Sequence, residues 1–134
     1  MIVTNPTSPS QVGTYTISLT VSDSVKSVSS SFEVTVTNTA PRFTATIPNK
    51  ILSVNSKGSY DLSEFFIDDD GNSLTMTATS SFAGNTAMSL PIGTLMTLPN
   101  LSTIEIAPTQ MAEIGDYLIT VTVSDSLAAV SSSF

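Results

Sequence analysis

Residues 14 to 22 alternate without a break. Tyr15, Ile17, Leu19 and Val21 fall on one phase, and Thr14, Thr16, Ser18, Thr20 and Ser22 on the other. A period of two built from β-branched and aromatic residues predicts a half-buried strand. Val28, Ser30, Phe32, Val34 and Val36 make the next inward phase, and Ser22-Asp23-Ser24 lies in the turn between them. The two runs predict a β-hairpin. Asn38-Thr39-Ala40-Pro41 follows, where proline fixes φ and lacks a donor, so a domain joint is expected there.

The same alternation predicts further short strands over 43–47, 50–54, 58–66, 73–79, 94–98, 102–106, 117–123 and 130–134. Tyr60, Leu62 and Phe65 or Phe66 take the inward phase of one, and Leu74, Met76 and Ala78 that of another. Helical periodicity is absent. Many short strands with turn signals between them predict an all-β, antiparallel Greek-key β-sandwich. The chain has no tryptophan and no cysteine, so it is not an antibody-type domain.

The hairpin occurs twice. Gly13-Thr14-Tyr15-Thr16-Ile17-Ser18-Leu19-Thr20-Val21-Ser22-Asp23-Ser24 returns as Gly115-Asp116-Tyr117-Leu118-Ile119-Thr120-Val121-Thr122-Val123-Ser124-Asp125-Ser126, an offset of 102 residues. Both copies run on to Ser-Ser-Ser-Phe, and the offset also aligns Ile2 with Ile104, Pro6 with Pro108 and Thr7 with Thr109. That period is too long for a solenoid unit and fits a small domain, so a tandem repeat is expected. Residues 1–38 read as the C-terminal strands of a preceding repeat, or as a strand-exchange segment. Residues 39–134 read as one sandwich lacking the end of its last strand. The first copy continues past Phe32 into Glu33, Val34, Thr35, Val36 and Thr37, whereas the second stops at Phe134. The expectation is a window from a longer repetitive polypeptide, or a protomer whose missing strand is the Glu33–Thr37 strand of a neighbour. In the second case identical protomers would join head to tail in a filament.

Composition narrows the partners. Eleven acidic against four basic residues give a net charge of −7 and a pI near 4.1. This disfavours nucleic acid and anionic membrane surfaces and suits cations. No apolar run has membrane-spanning length, so no membrane insertion is expected in this segment. Charged residues make up 11% of the chain, so its 23 serines and 20 threonines carry its solubility. Without histidine or cysteine, the Ser-His-Asp, Cys-His and usual zinc arrangements are missing. Glu64, Glu105 and Glu113 sit in no glycosidase motif. The chain is not expected to be an enzyme.

The stretch Phe66-Ile67-Asp68-Asp69-Asp70-Gly71-Asn72-Ser73-Leu74 is richest in chemistry. Oxygen side chains at Asp68, Asp70 and Asn72, with a glycine at the bend, can converge on calcium, which takes six to eight oxygens. An EF-hand is excluded, because Thr79 stands at the twelfth position, where that loop needs glutamate. In a sandwich the loop lies at the same end as the turn carrying Asp125 and as the entering linker. Asp68, Asp70, Asn72, Asp125 and a linker carbonyl or Asn38 are therefore the expected calcium ligands at a domain joint. Asp, Gly and Asn equally suit a solvated turn, and an Asp-Ser turn at Asp23 or Asp125 can cap itself through its side chain.

Phe-x-Asp-x-Asp-Gly-Asn-x-Leu from Phe66, Ile-Gly-Asp-Tyr-x-Ile-x-Val-x-Val-Ser-Asp-Ser from Ile114 and the Asn-x-Ala-Pro joint at Asn38 together resemble dystroglycan-type cadherin-like repeats, close to the putative immunoglobulin-like repeats. The resemblance covers Asn38 to Phe134, with Ile2 to Thr37 as the tail of another copy. It implies an immunoglobulin/cadherin-like sandwich in a surface or secreted tandem array, extracellular, with calcium bound in some members. The third acidic position is Asn72 here, and Ile106-Ala107-Pro108 replaces the usual Gly-x-Pro.

The resulting expectation is a structural and adhesive module whose partners are neighbouring repeats or identical protomers. The alternative is a carbohydrate-binding module, disfavoured because its aromatics fall on inward phases. Asn100-Leu101-Ser102 is the N-glycosylation acceptor, which makes glycans a further candidate partner. The outward Thr14–Ser22 row reads as a soluble sheet face. Tyr15 and Tyr117 read as core-edge tyrosines with bonded hydroxyls, as in a tyrosine corner. Met76, Met88, Met96 and Met111 read as core filler.

Overall fold

The computed structural model describes residues 3–82, 88–89, 92 and 95–134, with backbone alone at 88 and 89. The chain divides between Thr39 and Ala40 into two units.

The first unit is a hairpin. A 3-10 turn over Pro9–Gln11 leads into β1 (Gly13–Ser22) and β2 (Ser27–Val36). Gln11 turns back so that its Oε1 accepts from the Thr7 and Ser8 amides at 2.7 and 3.0 Å. This closes a capping box that aims the chain into β1. The antiparallel register runs from Gly13 opposite Val36 to Ser22 opposite Ser27. On the polar face, Thr20 and Ser29 hydroxyls meet at 2.8 Å and Thr14 and Thr35 at 3.2 Å. Asp23 closes the turn by accepting from the Val25 and Lys26 amides.

The apolar phase of this hairpin departs from the half-buried strand expected of it. Val21 and Val28 are 68% and 69% exposed, and Leu19 and Phe32 are also exposed. The alternation is present, but among the described residues of the first unit no second sheet covers that face.

The described residues of the second unit form β3 (Arg42–Phe43), β4 (Gly58–Asp61), β5 (Phe66–Ile67), β6 (Thr75–Phe82), β7 (Met88–Ser89), β8 (Met96–Thr97), β9 (Thr103–Ile106), β10 (Tyr117–Ser124) and β11 (Ala129–Ser133). One antiparallel sheet has the order β11-β10-β6-β7 and another the order β4-β9-β8, while β3 pairs with β5. The chain changes sheet between β3 and β4, β4 and β5, β5 and β6, β7 and β8, and β9 and β10. This is the strand order of an immunoglobulin-like sandwich, with β4, β9 and β8 facing β6, β10 and β11.

The two inner faces make one core. Met76, Ala78, Ile119, Val121 and Val123 come from one sheet, and Met96, Ile104 and Ile106 from the other, with Ile47 and Leu62 beside them. Burying a side chain of this size stabilises by about 1.5–3 kcal/mol. The expected inward phase of β6 is present, since Met76 and Ala78 are buried and Leu74 packs against the core.

Three expectations change. Residues 50–54 form no strand, and 43–47 keeps only Phe43 within β3. Asn55 takes a left-handed φ of +64°, and the turn into it, with Ser56 donating back to Ser53, ends extended pairing there. Met111 is 76% exposed on a 3-10 turn over Met111–Glu113, not in the core. The Met88 side chain lies outside the described residues, whereas Met76 and Met96 are buried.

The second hairpin repeats the first in register. Ser18 lies opposite Ser31, and their equivalents Thr120 and Ser133 are also partners. Tyr15 donates its hydroxyl to the Gln11 carbonyl at 2.8 Å, and Tyr117 to the Glu113 carbonyl at 3.0 Å. Glu113 closes the same capping box as Gln11, accepting from the Thr109 and Gln110 amides.

Candidate functional site

The acidic loop begins where β5 ends. Phase decides which aspartate turns inward. Phe66 packs on the core, Ile67 is exposed, Asp68 is buried and Asp69 faces out. Asp69 then pairs with Arg42, whose strand position lies opposite Ile67. The guanidinium reaches both carboxylate oxygens, at 2.8 and 3.0 Å. Those bonds hold the Asp69 carboxyl below the usual range and raise Arg42. Sequence reasoning missed this pair. Its signal was the chain's single arginine, placed just after the proline of the joint.

Asp68 shapes the rest of the loop. Its Oδ1 accepts from the Asp70 and Asn72 amides, both at 3.0 Å, and its carbonyl accepts from Gly71 at 3.2 Å. Gly71 supplies the left-handed φ of +75° that this bend requires. The second carboxylate oxygen, Oδ2, is buried in a residue 7% exposed and has no hydrogen-bond partner. An orphaned carboxylate oxygen is costly. A hard cation would satisfy it.

Asp125 stands at the end of β10. Ser124 lies opposite Thr75, whose hydroxyl donates to the Ser124 carbonyl at 3.2 Å. That register sets Asp125 beside the start of β6, so it shares one end of the sandwich with the Asp68–Asn72 loop. Asp125 is 2% exposed. Its Oδ1 accepts from the Leu127 and Ala128 amides at 2.8 and 2.6 Å, and Ser126 takes a φ of +79°. The self-capping turn is thus present in both copies. Asp125 is therefore a structural residue of the turn whatever else it does.

The residues fit calcium in part. Asp68 offers an unsatisfied oxygen, and Asp70, Asn72 and Asp125 lie in the same loop or at the same end. Among the described residues, no three acidic side chains converge as a preformed metal cluster. Asn38 belongs to the first unit and donates its amide to the Thr39 carbonyl at 3.3 Å. Asn100 is exposed in the turn before β9, where its Oδ1 accepts from the Ser102 and Thr103 amides. Glu33, Val34, Thr35 and Val36 lie in β2, opposite Thr16, Tyr15, Thr14 and Gly13 of the same chain, and Thr37 follows the strand.

A second feature lies on the second unit, beside the first residues of β10. An open groove of about 1190 Å³ runs between residues 49–54 and residues 114–119. Leu52, Ile106, Pro108, Ile114 and Tyr117 contribute its apolar lining. Sequence reasoning did not give this cavity.

No protein-family model and no curated protein matches the chain. Among solved structures, "Sidekick-1 immunoglobulin domains 1-5" aligns over 94% of this chain and 25% of its own length, with 20% identity and a TM-score of 0.49. The chain thus spans about a quarter of that protein's length. The fold assignment rests on the strand order described above.

Proposed function

We propose that this chain is a structural and adhesive module of an extracellular tandem-repeat protein. Modules join end to end, and a calcium ion stiffens the joint near Asp68. The observation that carries this reading is the recurrence of one hairpin, with the same register, turn and tyrosine bond, at an offset of one domain length. The orphaned Oδ2 of Asp68 supports the cation. Asp70, Asn72, Asp125 and Asn38 are the other proposed ligands, with identical protomers or neighbouring repeats as partners. Where repeats sit on separate chains, one chain's strand completes the next chain's sandwich, giving a filament. Asn100, exposed in its turn, is a proposed glycan attachment point.

Melting in calcium and then in EDTA tests the joint. Calcium at a hundred times its Kd adds about 2.7 kcal/mol. For a unit of this size that raises Tm by roughly 10–20 °C. Asp68→Asn should abolish the difference. Equal melting points for the natural chain in the two conditions would remove calcium from the proposal. Beads coated with the chain should clump in calcium, and beads that stay dispersed would remove adhesion.

A further inference from the structure

We propose that an N-linked glycan on Asn100 lies in a groove beside β6, its first N-acetylhexosamine packed on Leu98 and Leu101. This rests on the extracellular reading above, which takes Asn100 as an attachment point. It adds where the glycan sits and what holds it there.

The turn presents one end of the Asn100 amide. Asn100-Leu101-Ser102 lies between β8 and β9, with Asn100 and Leu101 exposed. Asn100 Oδ1 accepts from the Ser102 amide at 2.9 Å, the Thr103 amide at 2.8 Å and the Ser102 hydroxyl at 3.3 Å. Three donors on Oδ1 decide which way round the amide stands. Nδ2 is therefore the end turned away from them. The Leu62 amide donates to the Ser102 carbonyl at 2.8 Å and pins the turn to the sandwich.

Attachment uses that free end. The donor is an oligosaccharide carried on a lipid diphosphate. Nδ2 bonds to C1 of the first sugar as the bond from C1 to the diphosphate oxygen breaks. The diphosphate leaves with the electron pair, and the amide gives up one proton to a base of the transferring enzyme. The Ser102 hydroxyl completes the acceptor motif.

The acceptor asparagine itself lines the groove. Its volume is about 550 Å³, bounded by residues 76–79 of β6 and by Leu98, Asn100 and Leu101. Small-ligand sites run from about 300 to 1,000 Å³. A pyranose has an apolar face of C–H groups and a polar edge of hydroxyl and acetamido groups. Leu98 and Leu101 suit the face, and the Thr77 and Thr79 hydroxyls suit the edge. Among the described residues no charged side chain lines the groove, which fits a neutral sugar in an otherwise acidic chain. Sugar laid on exposed Leu101 removes apolar surface from water. Contacts of this kind are weak between free partners. The covalent tether makes them intramolecular, at an effective concentration in the millimolar range, on the order of 1 mM or more.

The test compares the full chain secreted by a eukaryotic cell with the same sequence made in a bacterial cytoplasm, where it stays bare. Mass spectrometry of the secreted chain should find a hexosamine-based glycan on Asn100 that peptide N-glycosidase removes. The glycosylated chain should melt roughly 4–8 °C above the bare one. Trimming the distal sugars should leave that rise in place. Leu101→Ser, which keeps the acceptor motif, should cut the rise to about half. A secreted chain with Asn100 bare would overturn the attachment, and with it the part of Asn100 in the proposed function. A glycosylated chain that melts with the bare one, or a Leu101→Ser chain that keeps the whole rise, would overturn the groove as the seat of the glycan and leave the attachment standing.

Discussion

Replacing Asp125 by alanine separates what the turn does locally from what burial adds. Asp125 Oδ1 accepts two amide hydrogens, from Leu127 at 2.8 Å and Ala128 at 2.6 Å. Hydrogen bonds to a charged group are worth about 1.5–3 kcal/mol each. Removing the carboxylate also recovers part of its desolvation cost, because the residue is almost fully buried. The expected net loss is about 2–4 kcal/mol, since two amides, one on exposed Leu127 and one on half-buried Ala128, lose their charged acceptor. For a unit of this size that lowers Tm by roughly 10–25 °C. Asp125→Asn keeps a side-chain oxygen for both amides and should lose about half as much.

The first copy is the control. Asp23 Oδ1 accepts from Val25 and Lys26 at 3.0 and 2.7 Å, the same two bonds at an exposed turn. Water replaces them there, so Asp23→Ala should leave the main transition where it was. Calorimetry in EDTA measures both variants without any cation contribution. If Asp125→Ala melts within about 2 °C of Asp23→Ala, the buried carboxylate does not organise this end of the sandwich and the reasoning fails.

Gly115→Ala should destabilise by about 1–3 kcal/mol, because the added methyl meets the Phe82 ring, which stacks on Tyr117 at 4.8 Å. Gly13→Ala meets nothing, so urea titrations in which it is the more harmful change would refute that account. Ser126→Gly should stabilise by about 0.5–1 kcal/mol, since glycine accepts the left-handed backbone that serine holds at a cost. A lower Tm would show that the serine side chain matters more than the strain. Asp69 and Asp61 are held below their ordinary range, Asp69 by Arg42 and Asp61 by the Ser63 amide. Their contribution is complete above about pH 4 and fades as pH falls through the lowered values. Melting points that rise between about pH 5 and pH 3 would contradict that sign.

How much was legible follows from which interactions are local. The hairpin register was readable because alternation and turn chemistry act over a few residues, and the repeat confirmed the phase. Phase also carried past the strand. Continuing from Phe66, it fits Asp68 inward and Asp69 outward but not Asp70, which is exposed where the Gly71 bend breaks the alternation. What the alternation could not give was pairing. Residues 51–54 alternate in exposure like a strand, with Leu52 packed on the core and Ile51 97% exposed, yet they belong to no strand. Their neighbour on the other side of the groove is a matter of tertiary structure. Met111 misled for a related reason. It lies in the short turn whose work is done by Glu113, which closes the capping box and receives the Tyr117 hydroxyl.

The two hairpins have almost the same local bonds and different surroundings. Val121 and Val123 are fully buried against the other sheet, while their equivalents Leu19 and Val21 are exposed. Register and turn are nevertheless the same, and the Thr20–Ser29 hydroxyl pair recurs as Thr122–Ser131, so local chemistry alone specifies the hairpin's shape. It does not supply the stability, because an isolated two-stranded ribbon is marginal in water. The stability of the second copy comes from the facing strands β4, β9 and β8. Hence the unit that folds is the pair of sheets. A hairpin of this repeat acquires its stability from the apolar surface that completes it.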